Sequence, residues 1–170
     1  SKASAEVLAQ FYARAHDLPV IIVRAFNHTG PRQAPNFVCS AFARQIASIA
    51  AGKSEPVIRV GNLEARRDFL DVRDVARAYV LALERGRAGG IYNVCSGRVV
   101  SIREILEMLL TFTGGEIRVE VSQELLRPLD IPVLFGSYER FASDTGWAPE
   151  IPFQQTLRDL FDYWLAVETT

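Results

Sequence analysis

Directly after Pro19 the chain reads Val20-Ile21-Ile22-Val23 before Arg24, with no polar residue among the first four. A strand with one face in water alternates apolar and polar side chains. A run that is apolar and β-branched at every position suits a strand covered on both faces, as in a parallel sheet. Parallel neighbours need a crossover, and that crossover is usually a helix. Helical spacing does flank the run. Val7, Leu8, Phe11 and Tyr12 precede it until Asp17-Leu18-Pro19 interrupts, and residues 37–51 follow it until Gly52.

The same alternation continues. Residues 57–60 read as a short strand ended by Gly61-Asn62, and 69–70 as a brief extended piece. Residues 71–85 read as a helix with an acidic first turn, an apolar face (Val72, Val75, Ala76, Tyr79, Leu83) and a basic end before Gly86. A strand at 91–94 and a turn at Ser96-Gly97 come next. Ser101 and Glu104 form a capping-box pattern for a helix reaching Thr113. Residues 117–121 alternate as a strand, 127–133 are irregular around Pro128 and Pro132, and helices are expected over 137–145 and 152–167. Residues 27–35, with Gly30, Pro31 and Pro35, read as a loop. Helix and strand alternating through short connections mean an α/β fold.

Charge excludes several partners. Nineteen Lys+Arg against twenty Asp+Glu leave a net charge of −1, so no global field attracts nucleic acid or an anionic membrane. No apolar run approaches the roughly 20 residues that span a bilayer. With two cysteines, Cys39 and Cys95, and two histidines, neither a disulfide framework nor a metal cage is expected. The expectation is a cytoplasmic protein with small core thiols.

Glycines never fall in a GxGxxG or GxxxxGK[ST] arrangement, and GxSxG and HExxH are absent too. Arginines on rigid loops are the alternative means of holding a diphosphate, because a guanidinium grips phosphate oxygens bidentately. Arg67-Asp68 lies between a short strand and a helix start, and Arg127 and Asp130 flank Pro128-Leu129. Asn27-His28 follows the 20–24 strand just outside its carboxyl end, where α/β sheets bind ligands. Each pair could equally be an ordinary ion pair that packs a loop.

Ser1-Lys2, Arg24-Ala-Phe-Asn27-His28-Thr-Gly-Pro31, Arg67-Asp-Phe-Leu-Asp-Val-Arg-Asp-Val75, Tyr92-Asn-Val-Cys-Ser-Gly97 and Arg127-Pro-Leu-Asp130, in this order, resemble the carboxyl-terminal half of an extended short-chain dehydrogenase/reductase acting on nucleotide sugars. Residues 60–68 with 26–28 and 127–132 are most similar to its GDP-mannose group, which holds a 4,6-dehydratase and a GDP-6-deoxy-4-keto-mannose reductase. The dehydratase usually carries Glu and a second Arg where this chain has Thr29 and Gln33, which favours the reductase. The resemblance implies the end of a Rossmann-type sheet in residues 1–30 and a mainly substrate-binding part in 31–170, some of whose segments return to that sheet. The cofactor-binding half is then expected to precede residue 1, where a helical pattern opens with no cap before it.

The resemblance also assigns roles. Lys2 matches the lysine of the family's Tyr-x-x-x-Lys pattern, next to both the chemistry and the NAD or NADP cofactor, and His28 matches a residue at the nicotinamide end. Asn27 matches a sugar-nucleotide contact near the phosphates, Asn36 a position offering backbone or amide groups to the diphosphate, and Arg67 the diphosphate arginine. Arg127 matches a second phosphate or ribose contact, Asp130 a ribose acceptor, and Arg59 a residue on the strand that walls the base. The implied reaction is hydride transfer at C4 of a GDP-sugar, in an enzyme that is a homodimer when intact and with this half alone inactive. Other readings are a dehydratase or epimerase of the same branch, a non-catalytic sugar-nucleotide-binding domain, and a purely structural fragment.

Overall fold

The computed structural model describes residues 1–126 and 131–170. Arg127 and Asp130 therefore lie outside the described residues. In chain order the elements are α1 (Lys2–His16), β1 (Ile22–Ala25), β2 (Asn27–Thr29), α2 (Val38–Ala50), β3 (Val57–Val60), β4 (Arg66–Asp71), α3 (Val72–Arg85), β5 (Ile91–Val94), β6 (Val99–Ser101), α4 (Ile102–Leu110), β7 (Arg118–Val121), a 3₁₀ turn (Gln123–Leu125), β8 (Val133–Leu134), α5 (Glu139–Thr145) and α6 (Phe153–Thr169).

The strands form three small sheets. β1 pairs with β5 in parallel, Ile22 opposite Ile91 and Ala25 opposite Val94. β4 pairs in parallel with β2 and β8 and antiparallel with β6. β3 pairs in parallel with β7. The second half of the apolar run does become a parallel strand, shifted to 22–25 and without a buried residue among those described, and its chain passes through Phe26, whose N–H donates to the Val94 carbonyl, straight into the second sheet.

β4 is the wall between two cores. Successive side chains of a strand point to opposite faces, so Phe69 joins the cluster of α2, β3, α4 and α6, while Leu70 joins that of α3, β5, Phe141 and Trp147. The first cluster is centred on Ile46, Ile58, Ile105, Leu109, Leu157 and Leu160, all fully buried. Trp164 of α6 donates its indole N–H to Ser40 of α2 at 2.9 Å, so the polar groups inside this helix pair are satisfied. Both thiols are core atoms, and burial pushes the Cys39 pKa up to about 12 and that of Cys95 to about 11.

Five local expectations need correction. Residues 27–29 form β2 rather than loop, and Val99–Ser101 and Val133–Leu134 are strands inside segments read as irregular or unassigned. All three are too short for periodicity to show and are held by backbone pairing alone. α2 begins at Val38 with Phe37 as its N-cap, so Asn36 sits one residue ahead of the cap. α3 buries Val75, Ala78 and Ala82 against the sheet, while Val72, Tyr79 and Leu83 of the predicted apolar face stay exposed. Small residues at this spacing let the helix lie close to the strands, and the larger ones make a second, outward stripe.

Asp71 caps α3, accepting from the Arg73 N–H at 2.7 Å and holding the Arg73 guanidinium, which also reaches Asp159. Burial alone would raise the Asp71 pKa, but hydrogen bonds from the Arg73 side chain and backbone and from Thr156 outweigh it and hold the carboxyl below its usual range. A carboxyl with a lowered folded-state pKa contributes stability that is complete above about pH 4 and is lost as the pH falls through the folded value. Urea midpoints measured from about pH 6 to about pH 2 are expected to drop below about pH 4, and Asp71→Asn to make that drop shallower. Equal drops in both proteins would remove Asp71 from the account.

Candidate functional site

Backbone groups along a strand point alternately to its two edges. The Arg66 N–H donates to Pro132 at 2.8 Å on the β8 side, and two residues on, the Asp68 carbonyl accepts from the Asn27 side-chain amide at 3.1 Å. β8 and β2 therefore follow one another along one edge of β4, and β6 takes the other. Asn27 bridges the step between them. Arg67, half-buried, lies opposite Leu134. Its guanidinium donates to the Arg66 carbonyl at 2.8 Å and lies 3.5 Å from that of Pro132. Asn27, Arg67 and the 131–134 segment thus converge on the first half of β4.

The chain reaches this edge from β7. After β7 comes the 3₁₀ turn, which lies so close to Gly61 at the end of β3 that a Cβ there would sit 2.6 Å from the Leu125 carbonyl oxygen. Residues 122–126 therefore lie against the end of the β3–β7 sheet and residues 131–134 along the β4 edge, and Gly61→Ala would push on the Leu125 backbone. Arg59 stands exposed on β3, its main chain held on both sides by the Gln45 amide, at 3.0 Å to its N–H and 3.2 Å to its carbonyl.

α1 brings Lys2 to the same neighbourhood. Glu6 accepts a bidentate contact from Arg24, with the Nε–H at 2.9 Å, which ties the first turns of α1 to the last residues of β1. From that tie, Lys2 lies one turn back along the helix, about 6 Å at 1.5 Å per residue. Asn27 lies three residues on along the extended chain, about 10 Å at 3.3 Å per residue. The tight turn after α1, with the Leu18 N–H on the Ala13 carbonyl, leaves too little chain for Arg24 to meet Glu6 unless β1 runs back against the helix, so both steps lead to the same end of the sheet.

The match to known proteins decides the family. Residues 1–160 match the family model described as GDP-mannose 4,6 dehydratase. The chain belongs to the GDP-mannose 4,6-dehydratase family. It is 38% identical over 164 residues to the GDP-6-deoxy-D-mannose reductase of Pseudomonas aeruginosa, covering 96% of this chain and 54% of the relative. To the human GDP-mannose 4,6 dehydratase it is 26% identical over 168 residues, covering 88% and 45%. Among solved structures it superposes on RMD from Pseudomonas aeruginosa, complexed with NADPH, with a TM-score of 0.92 at 37% identity, covering 98% of this chain and 55% of that one. The chain spans about half the length of these relatives.

Within this member of the GDP-mannose 4,6-dehydratase family, the turn after β2 is locked by hydrogen bonds. The Thr29 hydroxyl donates to the Gln33 carbonyl oxygen of the side chain at 2.6 Å, and the Gln33 amide donates to the His28 carbonyl at 2.9 Å. Ser40 of α2 donates to the Gln33 main-chain carbonyl at 2.7 Å. Thr29 is 1% exposed, so its hydroxyl is a structural group. The His28 Nδ1 lies 2.9 Å from the Phe26 carbonyl. A carbonyl only accepts, so Nδ1 carries the proton of this bond, and in the neutral ring Nε2 is then the acceptor nitrogen.

Asp68 entered the sequence reading only as the neighbour of Arg67, and its partners on the turn after β5 were not foreseen. It is fully buried, and its carboxylate accepts from the Ser96 N–H and hydroxyl, both at 2.7 Å, and from the Gly97 N–H at 2.9 Å. It pins the turn after β5 to β4 directly beside Arg67. Asp68→Ala strands buried donors and is expected to cost about 2–4 kcal/mol in denaturant unfolding; a loss under about 0.5 kcal/mol would mean the turn closes without it. Among the described residues no group of three or more His, Cys, Asp or Glu could hold a metal ion, and no helix is long and apolar enough to cross a membrane.

Proposed function

We propose that these residues form the carboxyl-terminal half of a cytoplasmic nucleotide-sugar oxidoreductase. Its reaction is reduction of the 4-keto group of GDP-4-keto-6-deoxy-D-mannose by a nicotinamide cofactor. The observation that carries this reading is the meeting of Asn27 and Arg67 on one edge of β4, at the sheet end to which α1 brings Lys2. The higher identity to the reductase than to the human dehydratase supports reduction over dehydration. The family model itself, described by the dehydratase, favours GDP-mannose 4,6-dehydration as the second reading. In this proposal residues 1–30 complete the dinucleotide-binding part, 31–170 belong mainly to the substrate part, and the intact enzyme is a homodimer.

A nicotinamide dinucleotide fits the donor set at this end. An exposed ammonium at Lys2 offers three N–H donors to ribose hydroxyls, and the half-buried His28 imidazole presents an acceptor nitrogen. NAD or NADP, when bound, would supply the hydride. Lys2 holds the ribose and, through its positive charge, lowers the pKa of the tyrosine of the Tyr-x-x-x-Lys pattern from about 10 toward neutrality. That phenol then gives its proton to the sugar oxygen at C4. Arg67 grips the diphosphate as a rigid fork, with Asn27 beside it, and Asn36 adds an amide ahead of the α2 N-terminus, where an anion is favoured. Arg127 is assigned to a second phosphate or ribose contact, Asp130 to the ribose and Arg59 to the base.

Incubating the full-length protein with GDP-4-keto-6-deoxymannose and reduced NADPH or NADH tests the reading. Substrate-dependent loss of reduced cofactor is expected. A keto sugar appearing from GDP-mannose alone, with no consumption of reduced cofactor by the keto sugar, would establish the second reading instead.

A further inference from the structure

The geometry points to the Glu6–Arg24 ion pair as the positioning device that sets Lys2 against the Asn27–His28 segment. α1 buries none of its side chains in the described structure, so packing within these residues does not fix how far the helix slides or turns along the sheet. The bidentate contact between Glu6 and Arg24 does. A guanidinium fork against a carboxylate has one preferred planar arrangement, so it defines both distance and rotation. Glu6 is one helical turn from Lys2, on the same face of α1, and Gln10, a further turn along, donates to the same carboxylate. Arg24 is three residues from Asn27 on a strand whose other contacts are rigid, with Phe26 bonded to Val94 and Asn27 to Asp68. One contact thus sets the separation between the ammonium and the loop.

The pair titrates outside the working range of the site. The hydrogen bond from Arg24 holds the Glu6 carboxyl below its usual value, and Glu6 raises Arg24. The link therefore stays charged at neutral pH. Neither residue touches substrate or cofactor in this account. Both act through Lys2.

This inference rests on the role proposed for Lys2, and its test separates the two. In the full-length protein, Glu6→Gln and Arg24→Gln are each expected to lower kcat, by up to about 100-fold as misplacement of a reacting group by an ångström can. KM for the nucleotide sugar should hold, and the pH profile of kcat should move up as the lysine loses its hold on the tyrosine. The charge-reversed pair, Glu6→Arg with Arg24→Glu, is expected to recover most of the loss. Amide hydrogen exchange of residues 2–16 should accelerate in the single variants and slow again in the reversed pair, whatever reaction the protein catalyses. Single variants with unchanged kcat and pH profile, or loss of melting temperature alone, would overturn the positioning role. Unchanged exchange would overturn it even if the proposed reaction proves wrong.

Discussion

Lys2→Ala is expected to cut turnover of the full-length protein by about 10²–10⁴-fold, the range that a proton-transfer group and its activator contribute. The melting temperature should stay within a degree or two of wild type, because Lys2 is an exposed first-turn residue of a helix that buries no side chain and exposed substitutions usually change stability by less than about 0.5 kcal/mol. The effect should concentrate in kcat, with binding of the nucleotide sugar unchanged, because the proposed function puts Lys2 at the nicotinamide end and gives the diphosphate to Arg67. Turnover within twofold of wild type would show that Lys2 is only a solvated helix residue.

Arg67→Ala is expected to show the complementary pattern. A half-buried guanidinium facing a diphosphate makes charge-assisted hydrogen bonds, and removing one partner of such a contact costs about 2–4 kcal/mol, or about 30- to 1000-fold in Kd. Calorimetric titration with GDP reads this directly and needs no cofactor. Arg67→Lys keeps the charge and loses the fork, so it should recover only part of the affinity. The Asp68 carboxylate beside it is satisfied by the 96–97 turn, so the Arg67 loss should appear in binding and the Asp68 loss in stability. If Arg67→Ala binds GDP as wild type does, the diphosphate lies elsewhere.

What the sequence revealed and what it hid divide along physical lines. The 20–23 run was legible as a parallel strand from its β-branched residues, though β1 starts only at Ile22 and its residues are not buried in the described structure, and the Ser101–Glu104 box was legible because a cap is a local bond. β2, β6 and β8 were not, since Asn27-His28-Thr29 and two short segments are held by backbone pairing that side-chain types do not encode. α3 misled because it uses Ala78 and Ala82 to approach the sheet and turns Tyr79 and Leu83 outward. Asp68 was overshadowed by Arg67, and its true partners lie 28 and 29 residues along the chain. Glu6 and Arg24 pair across 18 residues and two elements. The candidate residues Asn27 and Arg67 were proposed through family resemblance, while the bond that joins Asn27 to Asp68 required coordinates.

The central claim is that one nucleotide diphosphate lies along the first half of β4. A crystal structure of the full-length protein grown with GDP tests it most directly. The account predicts phosphate oxygens within about 3.2 Å of the Arg67 guanidinium, with Asn27 alongside and the 131–134 segment against the nucleotide. GDP bound on another surface, with Arg67 still resting on the Arg66 and Pro132 carbonyls, would contradict it.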